Sequence, residues 1–123
     1  MVLIFTGNEE LNKELNKKIE NSRIVYYPEY ILEEKETKTI IVAVQQNMFN
    51  FQEYILKIRE KNIQVILLLE NEKSEVLKDA LLYGIYDIIF DPFEVKDIIK
   101  KIRNPTLFSE ISKYIKQFIE LEK

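Results

Sequence analysis

Five short apolar runs alternate with stretches in which apolar residues return every three or four positions, and this restricts the chain to few folds. The runs cover residues 2–5, 23–27, 39–44, 65–69 and 85–90. The first, third and fourth are continuously apolar, as strands buried on both faces must be. Between them, Leu11, Leu15 and Ile19 form one helical stripe, and Phe51, Tyr54, Ile55 and Ile58 form another within a helix expected over residues 50–61. Val76, Leu77, Ala80 and Leu81 give a further stripe, as do Val95, Ile98, Ile99 and Ile102. After Pro28 stops the second run, residues 29–38 are weakly patterned, and Tyr30, Ile31 and Leu32 anchor a short or irregular helix.

Helix boundaries are marked by capping residues. Asn8 precedes Glu9 and Glu10, Asn71 precedes the stripe over residues 76–81, and Gly84 closes it. Asp91-Pro92-Phe93-Glu94 reads as a helix start, with Asp as cap, Pro at the first helical position and Glu completing the box. Five βα units in alternation imply an α/β three-layer sandwich around a parallel sheet. Right-handed crossovers favour the strand order 2-1-3-4-5. The expected division is a (βα)5 domain over residues 1–103 and an additional amphipathic helix over residues 104–123. Two readings of that helix are open: it packs back on the domain, or it serves as a dimer seam or as the connection to a downstream domain.

Composition removes several kinds of chemistry. The chain has no histidine and no cysteine, so histidine-based triads, thiol nucleophiles, disulfides and the usual zinc sites are out of reach. A formal net charge of -3 argues against a nucleic-acid surface. The basic cluster Lys96, Lys100, Lys101 and Arg103 sits among acids as a solvated helix face. No apolar run approaches the roughly 20 residues of a membrane-crossing helix, and residues 1–6 do not form a signal peptide. A soluble, cytoplasmic chain is expected.

The segment Ala80-Leu81-Leu82-Tyr83-Gly84-Ile85-Tyr86-Asp87-Ile88-Ile89-Phe90-Asp91-Pro92-Phe93 resembles a response-regulator receiver domain. Gly84, Asp87, Pro92 and Phe93 stand at that family's spacing, and the five βα units extend the resemblance to about residue 103. It implies the receiver-like, flavodoxin-like form of the sandwich. The family's phosphotransfer residues are missing. Acids after the first strand, which would hold Mg²⁺ through carboxylate oxygen, are replaced by Thr6 and Gly7. The acceptor Asp at the end of the third strand is replaced by Ala43-Val44-Gln45-Gln46, and the first 78 residues contain no Asp. The switch Thr or Ser becomes Leu69, and the counter-charging Lys becomes Asp91.

Receivers degraded in this way resemble the N-terminal domains of pilus-assembly localisation proteins of the TadZ and CpaE group, which are related to MinD/ParA ATPases. The resemblance implies a localisation or dimerisation module without enzymatic activity or cofactor, whose partner is another protein, a second copy or a downstream ATPase domain. With only Gly7 and Gly84 as glycines, the chain itself has no Walker loop. The helix-four, strand-five, helix-five face is the expected contact surface, as in receiver dimers. Leu82, Tyr83 and Tyr86 lie there, and Phe108, Ile111, Ile115 and Phe118 follow on the final helix; Phe90 and Phe93 are assigned to the core.

Four other readings compete with this one. Glu9, Glu10 and Glu70 could hold a divalent ion loosely, against their simpler roles at a helix N-terminus and in a solvated turn. Thr6-Gly7-Asn8 faintly resembles a flavodoxin phosphate loop, but Glu9 and Glu10 would repel a phosphate there; Phe49 and Phe51 are the aromatics on offer. A small ligand at the carboxyl ends of the strands would meet Gln45, Gln46, Asn47 and Asn71. A receiver answering a non-standard signal is the remaining alternative.

Overall fold

A computed structural model describes residues 1–45 and 50–120. Its elements alternate as the apolar runs require. They are β1 (Val2–Phe5), α1 (Glu9–Lys18), β2 (Ser22–Ile24), α2 (Pro28–Glu33), β3 (Thr39–Ala43), α3 (Phe51–Glu60), β4 (Gln64–Leu69), α4 (Val76–Leu82), β5 (Asp87–Phe90), α5 (Val95–Arg103) and α6 (Phe108–Glu120). The five strands are parallel, in the order β2-β1-β3-β4-β5.

Register explains why the runs carry no polar alternation. Ile4 pairs with Ile41 and Ile41 with Ile66, a row of isoleucines facing Leu15 of α1 and Ile98 of α5. Leu3, Ile40 and Val65 form the next row, pointing to the opposite face. There they meet Ile31 of α2, Ile55 and Ile58 of α3, and Leu77 and Ala80 of α4. Each large side chain buried in these rows contributes roughly 1.5–3 kcal/mol, so a polar residue on either face would be costly.

Local chemistry moved several boundaries. Asn71 does not cap α4: its Oδ1 accepts the Lys73 N–H at 2.8 Å within the loop, and α4 starts only at Val76. Asn side chains close such turns readily. Asp91 is not a helix cap either. Its N–H bonds to Leu69 O at 3.0 Å, carrying the β4–β5 pairing one residue further, and the Asp91–Pro92 peptide is cis. The cap is Glu94, whose N–H is accepted by the Asp97 carboxylate at 3.0 Å. Gly84 does end α4, at φ +79°. The N–H of Ile85 reaches Ala80 O at 2.9 Å and that of Gly84 reaches Leu81 O at 3.1 Å, satisfying the last carbonyls. β5 starts at Asp87, two residues later than the apolar pattern indicates.

α6 turns back onto the face occupied by α4. Ile111 is buried in that side's core, and Tyr114, Ile115 and Phe118 pack against it. Phe90 and Tyr114 lie 5.6 Å apart, and the Tyr86 and Phe108 rings meet edge-on at 5.7 Å. The helix therefore lies against the edge strand β5. The segment leading into it is held by Asp87, buried at the amino end of β5: Oδ1 accepts the Thr106 N–H at 2.6 Å, and Oδ2 accepts Gln64 Nε2 at 3.1 Å. Gln64 also donates to Lys101 O at 3.1 Å and accepts from Thr39 Oγ1 at 2.9 Å. Among the described residues, no helix is long and apolar enough to cross a membrane.

Candidate functional site

The carboxyl ends of β1, β3 and β4 open into a cleft of about 680 Å³. Crossovers leave this end of a parallel sheet uncovered, which is why ligands of such folds gather there. Ala43, Val44, Leu68 and Leu69 give it an apolar floor, and Thr6, Asn8, Asn71 and Ser74 line its sides. Glu70, Lys73, Glu75 and Asp91 bring the charges.

The polar groups here mostly serve their own loops. The Thr6 hydroxyl, buried, donates to Oδ1 of the buried Asn12 at 2.5 Å and accepts from the Asn8 N–H at 3.1 Å. Asn8 Oδ1 caps α1 by accepting the Leu11 N–H at 3.1 Å. The Ser74 hydroxyl accepts from the Val76 N–H at 3.3 Å. Asn12 does not stand out for this role in the sequence, because it sits inside a stripe whose pattern is set by Leu11 and Leu15. Its spacing from Thr6, six residues across a turn and one helical turn, was the available signal.

Gly7 stands at φ +74° with the Gln45 side chain laid over it; a Cβ would come within 2.7 Å of Oε1. Any side chain there meets backbone strain and must displace Gln45. The structure thus brings Thr6, Ala43, Val44, Leu69 and Asp91 to one cleft, with Gly7 beside it. Gln46, Asn47 and Phe49 lie outside the described residues. Of the three glutamates considered as ion ligands, Glu70 lines the cleft, whereas Glu9 is engaged with Lys13 at 3.9 Å and Tyr26 at 3.4 Å. Among the described residues, no group of three or more carboxylates is placed to hold a metal ion.

The residues considered for an interface divide by exposure. Leu82 is 76% and Phe108 56% exposed, whereas Ile111 is 5% exposed and held in the core. Tyr83, Tyr86, Ile115 and Phe118 are half-buried against the same core. Leu107 and Ile119 add further exposed apolar surface on and beside α6.

No protein-family model matches the chain, and no curated protein matches it. Solved structures do. The receiver domain of the Francisella response regulator 1452 superposes with a TM-score of 0.67 at 16% identity, covering 83% of this chain and 92% of its own. The BeF3-activated receiver domain of DrrB gives 0.69 at 17% identity, with the same coverage. A CpaE2 pilus assembly protein from Sinorhizobium meliloti gives 0.57 at 10% identity, covering 84% of this chain and 98% of that one. At these identities the likeness is one of fold: the chain is folded as a receiver domain.

Proposed function

We propose that this chain is a protein-interaction module built on the receiver fold and working without phosphorylation. The observation that carries the reading is the occupancy of the cleft. Thr6, Val44 and Leu69 stand at the strand ends and Asp91 follows β5, so no acid is presented where the receiver resemblance requires acceptor and metal ligands. A phosphoryl group would also meet the negative charge of Asp91. Regenerating the lost acid beside Thr6 is hindered by the backbone of Gly7 and by Gln45 above it.

What remains is an α/β body with exposed apolar side chains on α4 and on and beside α6. Leu82, Leu107, Phe108 and Ile119 are all more than half exposed, and exposed apolar groups of this size mark interaction surfaces when they gather. The fold shared with a CpaE2 pilus assembly protein supports a role in localising or assembling a partner. α6, anchored by Ile111, Tyr114 and the Asp87–Thr106 bond, belongs in this reading to the same folding unit as residues 1–103.

The deciding experiment is incubation with acetyl phosphate and Mg²⁺, followed by intact-mass analysis. An unchanged mass is expected; a phosphoryl adduct on a carboxylate would sink the proposal.

A further inference from the structure

We propose that the cleft is a docking site for a partner segment carrying an apolar side chain flanked by lysines or arginines. This rests on the interaction-module reading and names the chemistry of the partner. A second depression of about 520 Å³ lies between α1 and α5, and it shares Asn8, Leu11 and Phe93 with the first. The two depressions adjoin at these side chains and together make a trough that offers an extended stretch of chain more contact than a single small molecule would use.

Its floor and its charge point to the same occupant. Val44 is 43% exposed, and Leu11 and Phe93 are half-buried, leaving apolar surface open at the centre. Around the deep part, Glu70, Glu75 and Asp91 face one lysine, Lys73. Along the shallow part, Lys18 and Lys96 are drawn to Glu14 and Glu94, each at 3.2 Å, and Glu10 adds another carboxylate. The trough is thus negative overall, and a concave surface concentrates that field. The Thr6 hydroxyl and the side-chain oxygens of Asn8 and Asn71 are engaged locally, so apolar burial and Coulomb attraction supply most of the affinity. A pocket of this volume takes a large side chain with its neighbouring backbone. An acidic segment or a phosphate would be repelled.

The test is fluorescence anisotropy with a labelled Lys-Arg-Leu-Phe-Lys-Arg peptide and its Glu-Asp-Leu-Phe-Glu-Asp counterpart. Binding of the basic peptide alone is expected, weakening as salt is raised. The triple variant Glu70→Lys/Glu75→Lys/Asp91→Lys should lose about ten-fold or more in affinity. The control Glu20→Lys/Glu33→Lys/Glu60→Lys, on exposed positions away from the trough, should bind much as the parent does. On the unaltered protein, amide shifts should centre on Leu11, Val44, Leu69 and Phe93, so the result does not depend on any variant folding. Equal losses in both triple variants, or shifts spread over the whole surface, would overturn the proposal as diffuse attraction. A chain that resists acetyl phosphate yet ignores the basic peptide removes this inference and leaves the interaction reading standing. A chain that takes up the phosphoryl group removes the reading beneath both.

Discussion

The two ends of the sheet handle their polar side chains in opposite ways. At the amino end, Thr39, Gln64, Asp87 and Thr106 come from four separate segments and join in one hydrogen-bonded chain. At the carboxyl end, Thr6, Asn8, Asn71 and Ser74 each bond within their own loop or to the helix it leads into. The first arrangement holds distant parts of the chain together, whereas the second shapes the rim of a cleft and leaves its interior apolar. In a fold whose chemistry is expected at the carboxyl end, this chain has its one buried carboxylate (among the described residues) at the other end. Asp87 is thus a structural anchor, and the mouth is free to act as a surface.

The largest effect that contrast predicts is for Asp87→Ala. Removal leaves the Thr106 N–H and a Gln64 amide proton without acceptors in a partly buried place, and each charge-assisted bond lost costs more than a neutral one. A destabilisation of about 3 kcal/mol is expected in urea unfolding, with Asp87→Asn losing less because one acceptor oxygen survives. A cost for Asp87→Ala no larger than that of an exposed substitution would erase the distinction between the ends.

Next in size is the helix that Asp87 introduces. Ile111→Ala should cost about 2 kcal/mol, because the cavity opens at the edge of the core where α6 can partly settle. Truncation after Arg103 separates the two readings of α6 more sharply. Loss of the helix uncovers Tyr86 and Phe90, whose rings now pack against Phe108 and Tyr114. A truncated chain that is less stable and more associated in light scattering identifies α6 as an intramolecular cover. A dimer that falls to a well-folded monomer identifies it as a seam.

The same contrast explains what could be read from the sequence. Burial of β1, β3 and β4 on both faces is written in Val2–Phe5, Thr39–Ala43 and Gln64–Leu69, so the sheet and its order were legible. That no acid stands at Thr6, Ala43 or Val44 is likewise a plain property of the sequence, whereas the cleft these residues share with Leu69 and Asp91 took the fold to assemble. Hidden were the interactions that depend on three-dimensional choice among polar partners. Asn71 and Asp91 can cap helices, but one closed a turn and the other continued a strand pairing. Asp87 read as a position in a motif, because nothing in its neighbourhood announces Gln64 or Thr106, 23 residues before it and 19 after it. The direction in which α6 folds back was likewise invisible, since an apolar stripe does not name the surface it covers.

A smaller effect probes the contrast from the other side, at one tie near the carboxyl end. The hydroxyl of Tyr54, in the first turn of α3, donates to Pro28 O at the start of α2 at 2.8 Å. Burial first, and then the Glu29 charge, raise its pKa above the usual tyrosine range. The unfolded chain ionises this group near pH 10, before the folded one does, so its contribution is intact below that pH and is lost as pH rises further. Tyr54→Phe should cost about 1 kcal/mol at neutral pH and flatten the alkaline decline in the urea midpoint. A larger loss would mean that the carboxyl end is also fixed by long-range polar ties.

The smallest expected change belongs to Asp91→Lys, which restores the charge that the receiver resemblance implies at this position. The side chain is exposed, and the bond Asp91 makes to Leu69 O uses the backbone N–H, which a lysine keeps. Stability should move by less than about 0.5 kcal/mol. The variant should still resist acetyl phosphate, because a counter-charge without an acceptor has nothing to stabilise: Val44 cannot accept a phosphoryl group, and a new acid at Gly7 would meet both positive φ and the Gln45 side chain. Its affinity for a basic peptide should nonetheless fall. A substitution silent in folding and felt only in binding is what a mouth freed from structural duty predicts. A stability change above about 1 kcal/mol would instead tie Asp91 to the fold and shrink the difference between the two ends.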